Sequence, residues 1–288
     1  MSGDHYAAVR ELKQTIVMHT EFERVLDAAD DHIDMAVKAG DPISILVTAA
    51  PGMGKTALLD LVARRVRQRF SSLSNDDPLV SLEFGAMVDP HKLAAEFLEA
   101  LGFPITPART NLETITRMID TALGRIKPRV GLADEAQHVC EGCRDTTARA
   151  VTDWLKLRMD RHSLVFLLAG TQVLQRLREI NPQFASRAPT DLVINTFTYG
   201  PAWHQLLDGL RLNVKAVDMA ILCDRRVAKP VFDGAFGNLR RLKQWLGCSS
   251  YYTLSQQRSE LARADLQQGF ERAFGTNSKV PNPFGEGA

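Results

Sequence analysis

The chain lacks the features that mark membrane, secreted and strongly charged proteins. Its 288 residues include 4 cysteines, and 35 basic residues balance 34 acidic ones, which gives a formal net charge of +1. No apolar run approaches the roughly eighteen residues that a membrane-spanning helix needs. The N-terminal residues Met-Ser-Gly-Asp-His-Tyr do not form a signal peptide. We therefore expect a cytoplasmic protein without a membrane partner.

The few cysteines give little support to a metal centre. Cys140 and Cys143 form one C-x-x-C pair near His138, whereas Cys223 and Cys248 stand apart. A structural zinc ion needs four ligands, so this group lacks one. Ordinary reduced thiols are the favoured interpretation, and the pair receives no functional role.

The balanced charge does not by itself indicate a nucleic-acid ligand. A single basic face is sufficient to follow a phosphate backbone, so local clusters matter more than the sum. Basic residues cluster over 64–69, 109–129 and 144–161. Each cluster falls on a predicted helix, where a solvated face is the ordinary interpretation.

The strongest motif runs from a buried strand through a glycine loop into an amphipathic helix. Glycines reach backbone angles closed to other residues, so successive N–H groups can surround phosphate oxygens at a helix N-terminus. Lys55 is predicted to reach the β and γ phosphates of ATP, and the Thr56 hydroxyl to ligate Mg²⁺. Ala49 stands where the strict pattern has glycine. The predicted nucleotide contacts are Pro51, Gly52, Met53, Gly54, Lys55, Thr56 and Ala57.

A second motif supplies the carboxylates that phosphoryl transfer needs. The apolar run 129–133 ends in Asp134 and Glu135. Asp134 is predicted to hold the water shell of Mg²⁺, and Glu135 to polarise the attacking water. An isolated Asp-Glu pair is more often a solvated strand end, but the phosphate loop upstream favours the functional interpretation.

Polar residues after later elements complete the predicted ATPase site. The apolar run 163–169 leads to Thr171, which could sense the γ phosphate or orient water, with Gln172 as the alternative. Arg187 follows a short helix-like stretch, where it could reach the γ phosphate of a neighbouring subunit. A simple surface arginine is the competing interpretation. Arg240, with Arg241 as the fallback, begins a late helix and is the candidate second sensor.

These motifs, in this order, resemble the AAA+ ATPases. Within that class the chain looks most like the TniB and TnsC target-selection ATPases of DNA transposition, with the MuB and IstB regulators as more distant relatives. The narrower resemblance rests on Asp134-Glu-Ala-Gln-His138, on the run 167–177, on Phe184-Ala-Ser-Arg187 and on the helix 21–29. It implies a homo-oligomeric ring or filament that works with duplex DNA, a transposase and a target-selection adaptor protein.

The resemblance also implies DNA contacts. In TnsC-like proteins the region that corresponds to the helix start near His91 and Lys92 lines a DNA-facing channel. Carried over to this sequence, Lys92, Arg109 and Thr110 become candidate DNA contacts. Thr110 and Glu113 also match a capping box, with Thr110 as the N-cap, which explains both residues without DNA.

The predicted fold class is α/β, a P-loop NTPase of AAA+ type in which helices flank a parallel sheet and a small helical lid follows. Alternating apolar runs and helical patterns are typical of a parallel sheet. The expected strands are near 43–48, 79–84, 129–133, 163–169 and 192–196. The expected domains are a helical lead-in over 1–40, a nucleotide-binding core over 41–199, a helical lid over 200–274 and a mobile tail over 275–288.

Three functions remain open from the sequence. The first is an ATP-dependent regulator of DNA transposition that assembles on duplex target DNA, recruits or activates a transposase, and disassembles when ATP is hydrolysed. The second is a helicase-type motor, which the absence of a second motor domain and of a Ser-Ala-Thr motif disfavours. The third is an AAA+ switch that acts on protein partners in secretion or signalling, which the near-neutral charge permits.

Overall fold

The chain forms two compact units. The computed structural model describes residues 4–70, 77–103, 110–275 and 280–285. Unit 1 contains the residues up to Glu23, the segment Pro51–Met53 and the residues from Asn195 onward, whereas unit 2 contains Arg24–Ala50 and Gly54–Ile194. The phosphate loop of the sequence therefore contributes residues to both units.

Unit 2 is built on a parallel sheet. In the described residues its strands are β1 (Ser44–Ala49), β2 (Leu79–Glu83), β3 (Val130–Asp134), β4 (Val165–Gly170) and β5 (Thr190–Ile194), in the order β2-β3-β4-β1-β5. Register pairs Thr48 with Gly170 and Ala133 with Leu168, so the carboxyl ends of β1, β4 and β3 lie side by side. Each strand lies within two residues of its predicted bounds. The α/β prediction is confirmed.

Helices precede and separate the strands of unit 2 along the chain. They are α2 (Thr20–Ala39), which begins in unit 1, α3 (Lys55–Phe70), α4 (Pro90–Ala100), α5 (Leu112–Ile126), α6 (Asp145–His162), α7 (Leu177–Ile180) and α8 (Pro182–Ala185). In α5 the buried residues Ile115, Ile119, Ala122 and Leu123 recur at helical spacing, as expected for one face turned to a core. The helix ends at Lys127, whose left-handed backbone is a common stop signal.

The core of unit 2 contains interlocking aromatic rings. Phe97 of α4 lies with its ring centroid 5.9 Å from that of Trp154 of α6 and 6.2 Å from that of Phe166 of β4. Phe166 pairs in register with Gly131 of β3, where an added Cβ would come within 2.3 Å of the phenyl ring. Gly131 therefore makes room for the ring that anchors the helices to the middle of the sheet.

A buried charge cluster joins α5 to α6. The carboxylate of Asp120 accepts hydrogen bonds from Arg158 at 3.3 Å and His162 at 3.0 Å, and it pairs with Arg161. Burial raises the pKa of Asp120, but His162, Arg158 and Arg161 together outweigh it, so the net shift is downward. The carboxylate stays ionised at neutral pH and offsets the charge of Arg158, whose side chain is 5% exposed.

Unit 1 contains a helical core with two tryptophans. Its other helices are α1 (Ala7–Gln14), α9 (Pro201–Asn213), α10 (Arg225–Ala235), α11 (Leu239–Ser255) and α12 (Arg263–Phe274). The indole N–H of Trp203 donates to the carbonyl of Ala228 at 3.2 Å, and that of Trp245 to the carbonyl of Leu266 at 2.7 Å. Both polar atoms are thereby satisfied inside the core. No described helix of either unit has the length and apolar character needed to cross a membrane.

Part of the segment predicted to be a mobile tail is packed in unit 1. Phe284 is 5% exposed, with its ring centroid 5.9 Å from that of Trp245. The amide of Asn282 donates to the carbonyl of Gln267 at 3.0 Å. The prediction therefore differs from the structure over 280–285, because burial of one phenyl ring anchors a segment that is otherwise rich in glycine and proline. The rest of the predicted tail beyond Gly275 lies outside the described residues.

Candidate functional site

The loop between β1 and α3 has the backbone angles of a phosphate cradle. Gly52 has φ +81° and Gly54 has φ +94°, in the left-handed region that favours glycine. Ala49 is the last residue of β1 and is not among the residues with positive φ. This position therefore does not require glycine, which explains why alanine is accommodated there.

Lys55 opens α3 with a buried side chain. It is 7% exposed, and its Nζ lies 3.5 Å from the carbonyl oxygen of Ala49. Among the described residues no carboxylate forms an ion pair with it. Because a buried ammonium group needs an anionic or polar partner, this position fits a phosphate. The N–H groups of Lys55, Thr56 and Ala57 belong to the first helical turn, which has no intrahelical acceptors for them.

The structure brings the two predicted metal ligands together. Thr56 Oγ1, in the first turn of α3, donates to Asp134 Oδ2 at the end of β3 at 2.7 Å. A hydroxyl and a carboxylate are the oxygen ligands that Mg²⁺ prefers, usually with several waters retained. The donor set therefore fits a hard divalent cation.

Glu135 is held at a sharp turn beyond β3. Its φ is +51°, a left-handed conformation that is uncommon outside glycine and is found at functional sites. Its N–H donates to Asp134 Oδ1 at 2.8 Å, and its carbonyl accepts from the N–H of His138 at 3.0 Å. Its carboxylate accepts a hydrogen bond from the amide of Gln137 at 2.5 Å. The two acidic residues thus diverge: Asp134 contacts Thr56, and Glu135 contacts Gln137.

Thr171 lies one residue beyond the carboxyl end of β4, beside the ends of β3 and β1. Its N–H donates to the side-chain oxygen Oε1 of Gln137 at 3.1 Å, and its hydroxyl lies 3.4 Å from Glu141 Oε1. Gln172, the alternative sensor, is exposed. Thr171 is therefore the residue of this pair that contacts the turn carrying Glu135.

In unit 1 the loop segment Pro51–Met53 contacts the start of α11. The N–H of Arg240 donates to the carbonyl of Gly52 at 3.1 Å, and a Cβ added to Gly52 would lie 2.4 Å from the Cβ of Arg240. The amide of Asn238 donates to the carbonyl of Pro51 at 2.9 Å. Met53 is 2% exposed. The close approach requires glycine at position 52 as firmly as its backbone angle does.

The two adjacent arginines of α11 have different surroundings. Arg240 is exposed and contacts the loop, whereas the guanidinium of Arg241 lies 3.7 Å over the ring of Phe274. Arg241 Nε also donates to the carbonyl of Gly234 at 2.7 Å. Burial lowers the pKa of Arg241. These contacts make Arg241 a packing residue and leave Arg240 as the candidate sensor.

Arg187 lies at the amino end of the sheet, opposite the loop. Its carbonyl accepts from the N–H of Ser44, the first residue of β1, at 2.5 Å. Its guanidinium pairs with Asp160 at 3.1 Å and with Asp41 at 3.8 Å. β1 has six residues and rises about 3.3 Å per residue, so its two ends are about 17 Å apart. An arginine side chain is too short to cover that distance, so Arg187 cannot reach the carboxyl end of β1 in the same chain.

Two helix starts meet where DNA contacts were predicted. Asp89 caps α4 by accepting from the N–H groups of His91 and Lys92 at 2.8 and 2.9 Å. His91 Nε2 lies 2.6 Å from the carbonyl of Thr110. The ammonium group of Lys92 is exposed and donates to the carbonyl of Met87 at 3.2 Å. His91, the neighbour of Lys92, thus contacts Thr110, and Arg109 lies outside the described residues.

The predicted capping box of Thr110 and Glu113 is wrong. Helix α5 begins one residue later, at Leu112, and the N-cap is Asn111, whose side chain accepts from the N–H of Thr114 at 2.8 Å. Asparagine caps at least as well as threonine, because its short amide places an oxygen over the first turn. Glu113 is then an acidic residue in the first turn of α5 that does not form a capping box with Thr110.

Acidic partners neutralise part of the predicted basic clusters. Arg65 pairs with Asp27 at 2.8 Å and with Asp30 at 3.1 Å. Arg67 pairs with Asp77 at 2.9 Å, and Arg69 adds a longer contact to Asp30. The run 64–69 is therefore largely an ion-pair network on unit 2 and is a poor candidate for a phosphate-binding face.

The cysteine pair consists of one buried and one partly buried thiol. Cys140 is buried, and burial raises the pKa of its thiol to about 11, so the thiol is protonated at neutral pH. Cys143 Sγ contacts the carbonyl of Val88 at 3.2 Å. Among the described residues, no group of three or more His, Cys, Asp or Glu side chains is arranged to hold a metal ion.

Sequence patterns did not identify Gln137 or Asn238 as parts of the site. Gln137 stands two residues after Glu135 inside a motif that was assigned to its acidic residues alone. The sequence does contain a signal for Asn238 as a helix cap, because asparagine just before an apolar helical run is a common N-cap. In the structure Asn238 caps α11 by accepting from the N–H of Arg241 at 3.0 Å. Its second contact, with Pro51, has no signal in the sequence.

Comparison with protein families gives one clear result. A family model described as the bacterial TniB protein matches residues 9–193, which is more than half of the chain. The match contains the phosphate loop, the Asp-Glu motif, Thr171 and Arg187. A search of curated proteins gives no match.

Solved structures with a similar fold include several ORC proteins. The ORC2 protein of Aeropyrum pernix, in ADPNP-ADP complexes, is 14% identical, with a TM-score of 0.72 over 92% of this chain and 71% of that chain. The ORC1 protein of the same organism, in complex with DNA, is 19% identical, with a TM-score of 0.70 over 92% and 69%. Drosophila ORC bound to DNA is 16% identical, with a TM-score of 0.65 over 93% and 65%. At these identities the similarity shows the AAA+ fold alone.

Proposed function

We propose that this chain, an AAA+ ATPase that belongs to the TniB family of bacterial proteins, uses ATP to control its own assembly on duplex DNA during transposition. In this proposal the assembled protein recruits or activates a transposase, and hydrolysis drives disassembly. The observation that carries it is the contact between Thr56 and Asp134 beside Lys55, which is buried and has no carboxylate partner among the described residues of this family member.

The carboxyl ends of β1, β3 and β4 support ATP binding and hydrolysis. Lys55 and the first-turn N–H groups of α3 bind the phosphates, while Thr56 and Asp134 hold Mg²⁺. When bound, Mg²⁺ supplies positive charge against the β and γ phosphate oxygens. Glu135 orients and polarises the attacking water, and Thr171 senses the γ phosphate. The relatives crystallised with ADPNP or ADP support a nucleotide as the ligand.

The position of Arg187 supports a role in a neighbouring subunit. Because it lies about 17 Å from the carboxyl end of β1, it cannot serve the loop of its own chain. A guanidinium supplied from another subunit can neutralise charge that develops on the γ phosphate. In a free subunit Asp160 and Asp41 hold this guanidinium at the surface.

Replacing Arg187 tests this role. The variant Arg187→Ala should bind ATP normally but lose hydrolysis by about 10³-fold, as expected when a finger arginine is removed. Arg67→Ala, which removes another partly exposed arginine from an ion pair, should hydrolyse ATP at the normal rate. Adding Lys55→Ala subunits, which cannot bind ATP but carry Arg187, should restore part of the ATPase activity of Arg187→Ala. No recovery over a range of ratios, with mixed assembly shown by pull-down of tagged subunits, would contradict action in trans.

The start of α4 supports contact with duplex DNA. The exposed ammonium group of Lys92 lies at the start of α4, where the neighbouring His91 contacts Thr110 just before α5, and this charge can pair with a DNA phosphate. Two relatives of similar fold are described as bound to DNA. Arg109 is expected to add charge to the same region. An AAA+ switch that acts on protein partners is the alternative, which the neutralised run 64–69 favours.

Binding to duplex DNA separates these two functions. The protein should remain on duplex DNA with ATP or a non-hydrolysable analogue but not without nucleotide, and its affinity should fall steeply as salt is raised. Lys92→Gln should lower the slope of log affinity against log salt by about 0.9 for each phosphate contact removed. Lys38→Gln, a surface control at the end of α2, should leave the slope unchanged. Absence of nucleotide-dependent retention would favour the protein switch, and electron microscopy with DNA would distinguish rings from filaments.

A further inference from the structure

A buried glutamine connects the catalytic turn to the end of the neighbouring strand. Gln137 is 3% exposed and lies in a short 3-10 turn, Ala136–Val139, directly after Glu135. Its amide nitrogen donates to Glu135 Oε2 at 2.5 Å, and its carbonyl oxygen accepts from the N–H of Thr171 at 3.1 Å. In the described part of the chain, Gln137 is the side chain that hydrogen-bonds the carboxylate of Glu135.

The orientation of this amide follows from its two partners. A backbone N–H can only donate, so the oxygen of the amide must face Thr171. An ionised carboxylate can only accept, so the nitrogen must face Glu135. The reverse orientation would leave both contacts repulsive, and an amide is the side-chain group of this size that offers a donor on one side and an acceptor on the other.

The end of β4 lies close against the turn that carries Gln137. A Cβ on Gly170, the last residue of β4, would lie 2.8 Å from the oxygen of Gln137 and 3.0 Å from its backbone nitrogen. Such a Cβ would push the amide away from the strand end. Glycine at this position therefore allows the turn after β3 and the end of β4 to approach closely enough for the amide to bridge them.

We propose that Gln137 is a positioning residue for ATP hydrolysis, which holds the carboxylate of Glu135 at an angle set by the position of Thr171. The inference rests on the proposed roles of Glu135 and Thr171. Because both ends of the bridge are hydrogen bonds to one rigid amide, a shift of Thr171 towards the γ phosphate moves the amide and with it the carboxylate. Gln137 thereby couples recognition of the γ phosphate to alignment of the attacking water.

Two variants separate this role from simple support of the fold. Gln137→Glu keeps the shape and an acceptor for the N–H of Thr171 but removes the donor to Glu135. Gln137→Met removes both. We expect both to lower kcat for ATP by about 10- to 100-fold, the loss typical when an orienting partner of a catalytic group is removed, with little change in KM or in the affinity for a fluorescent ATP analogue. Gln175→Met, an exposed glutamine in the same unit, should match the wild type.

The result that overturns the proposal is normal kcat in Gln137→Met, because neither hydrogen bond of the glutamine would then contribute to hydrolysis. A second measurement uses Glu135→Gln as the background, with single-turnover rates. Gln137→Met should have no further effect there, since it acts through Glu135, whereas the same loss as in the wild type would mean independent action. If Glu135→Gln itself remains active, the proposed role of Glu135 fails. If Glu135→Gln is inactive and both Gln137 variants are active, this inference alone fails.

Discussion

Lys55→Ala is expected to raise the Kd for ATP by a factor on the order of 10²–10³, because it removes a buried charge from a charged ligand. The ammonium group is 7% exposed and contacts the carbonyl of Ala49, so water cannot readily replace it beside the phosphates. Stable binding to DNA should be lost with ATP binding, since the proposed assembly depends on bound nucleotide. Titration with a fluorescent ATP analogue measures the first effect, and retention on DNA-coated beads measures the second.

Lys38→Ala is the matched control for this experiment. Lys38 pairs with Asp34 on the surface of α2, and its side chain is 71% exposed. Its loss should change neither ATP affinity nor retention on DNA. Normal ATP affinity in Lys55→Ala would mean that the phosphates do not bind at this loop.

Glu135→Gln is expected to preserve binding of ATP and Mg²⁺ while slowing hydrolysis by about 10²–10⁴-fold, the usual contribution of a general base. Asp134 and Thr56 remain as metal ligands, so the nucleotide stays bound. Assemblies on DNA should therefore persist after excess ATP is removed. Release of inorganic phosphate and the lifetime of the DNA complex are the two measurements.

Glu141→Gln provides the control from the same turn. Glu141 lies 3.4 Å from the hydroxyl of Thr171 and pairs with His138, but it is not placed next to the predicted metal ligands. Its hydrolysis rate should remain within a few-fold of the wild type. A normal rate in Glu135→Gln together with a slow rate in Glu141→Gln would transfer the water-polarising role to Glu141.

Local patterns predicted the sheet well, and with it the position of Asp134. The central strands β1, β3 and β4 are buried on both faces and give continuous apolar runs, and a strand is found near each of the five predicted ranges. Because parallel strands end at one edge, the prediction that Asp134 lies beside the loop followed from sequence order. The contact of Asp134 with Thr56 confirms that proximity.

Contacts between residues distant in the sequence were not predictable in the same way. The bridge from Gln137 to Thr171 depends on the approach of two strand ends, which the spacing of motifs does not encode. The ion pairs of Arg65 join two helices, and nothing in the basic run itself indicates its acidic partners. At Thr110 the failure was local: two good capping residues are adjacent, and the structure uses Asn111.

The separation of Arg187 from the phosphate loop along β1 has a consequence for any assembly that needs both. Rings and filaments built by this contact are head-to-tail, so each copy gives its arginine to one neighbour and receives one from the other. A closed ring completes every site, but an open filament leaves one terminal copy with bound ATP and no donated arginine. The copy at that end should keep its ATP while interior copies hydrolyse theirs. The two ends of the filament would then differ in how long they retain ATP.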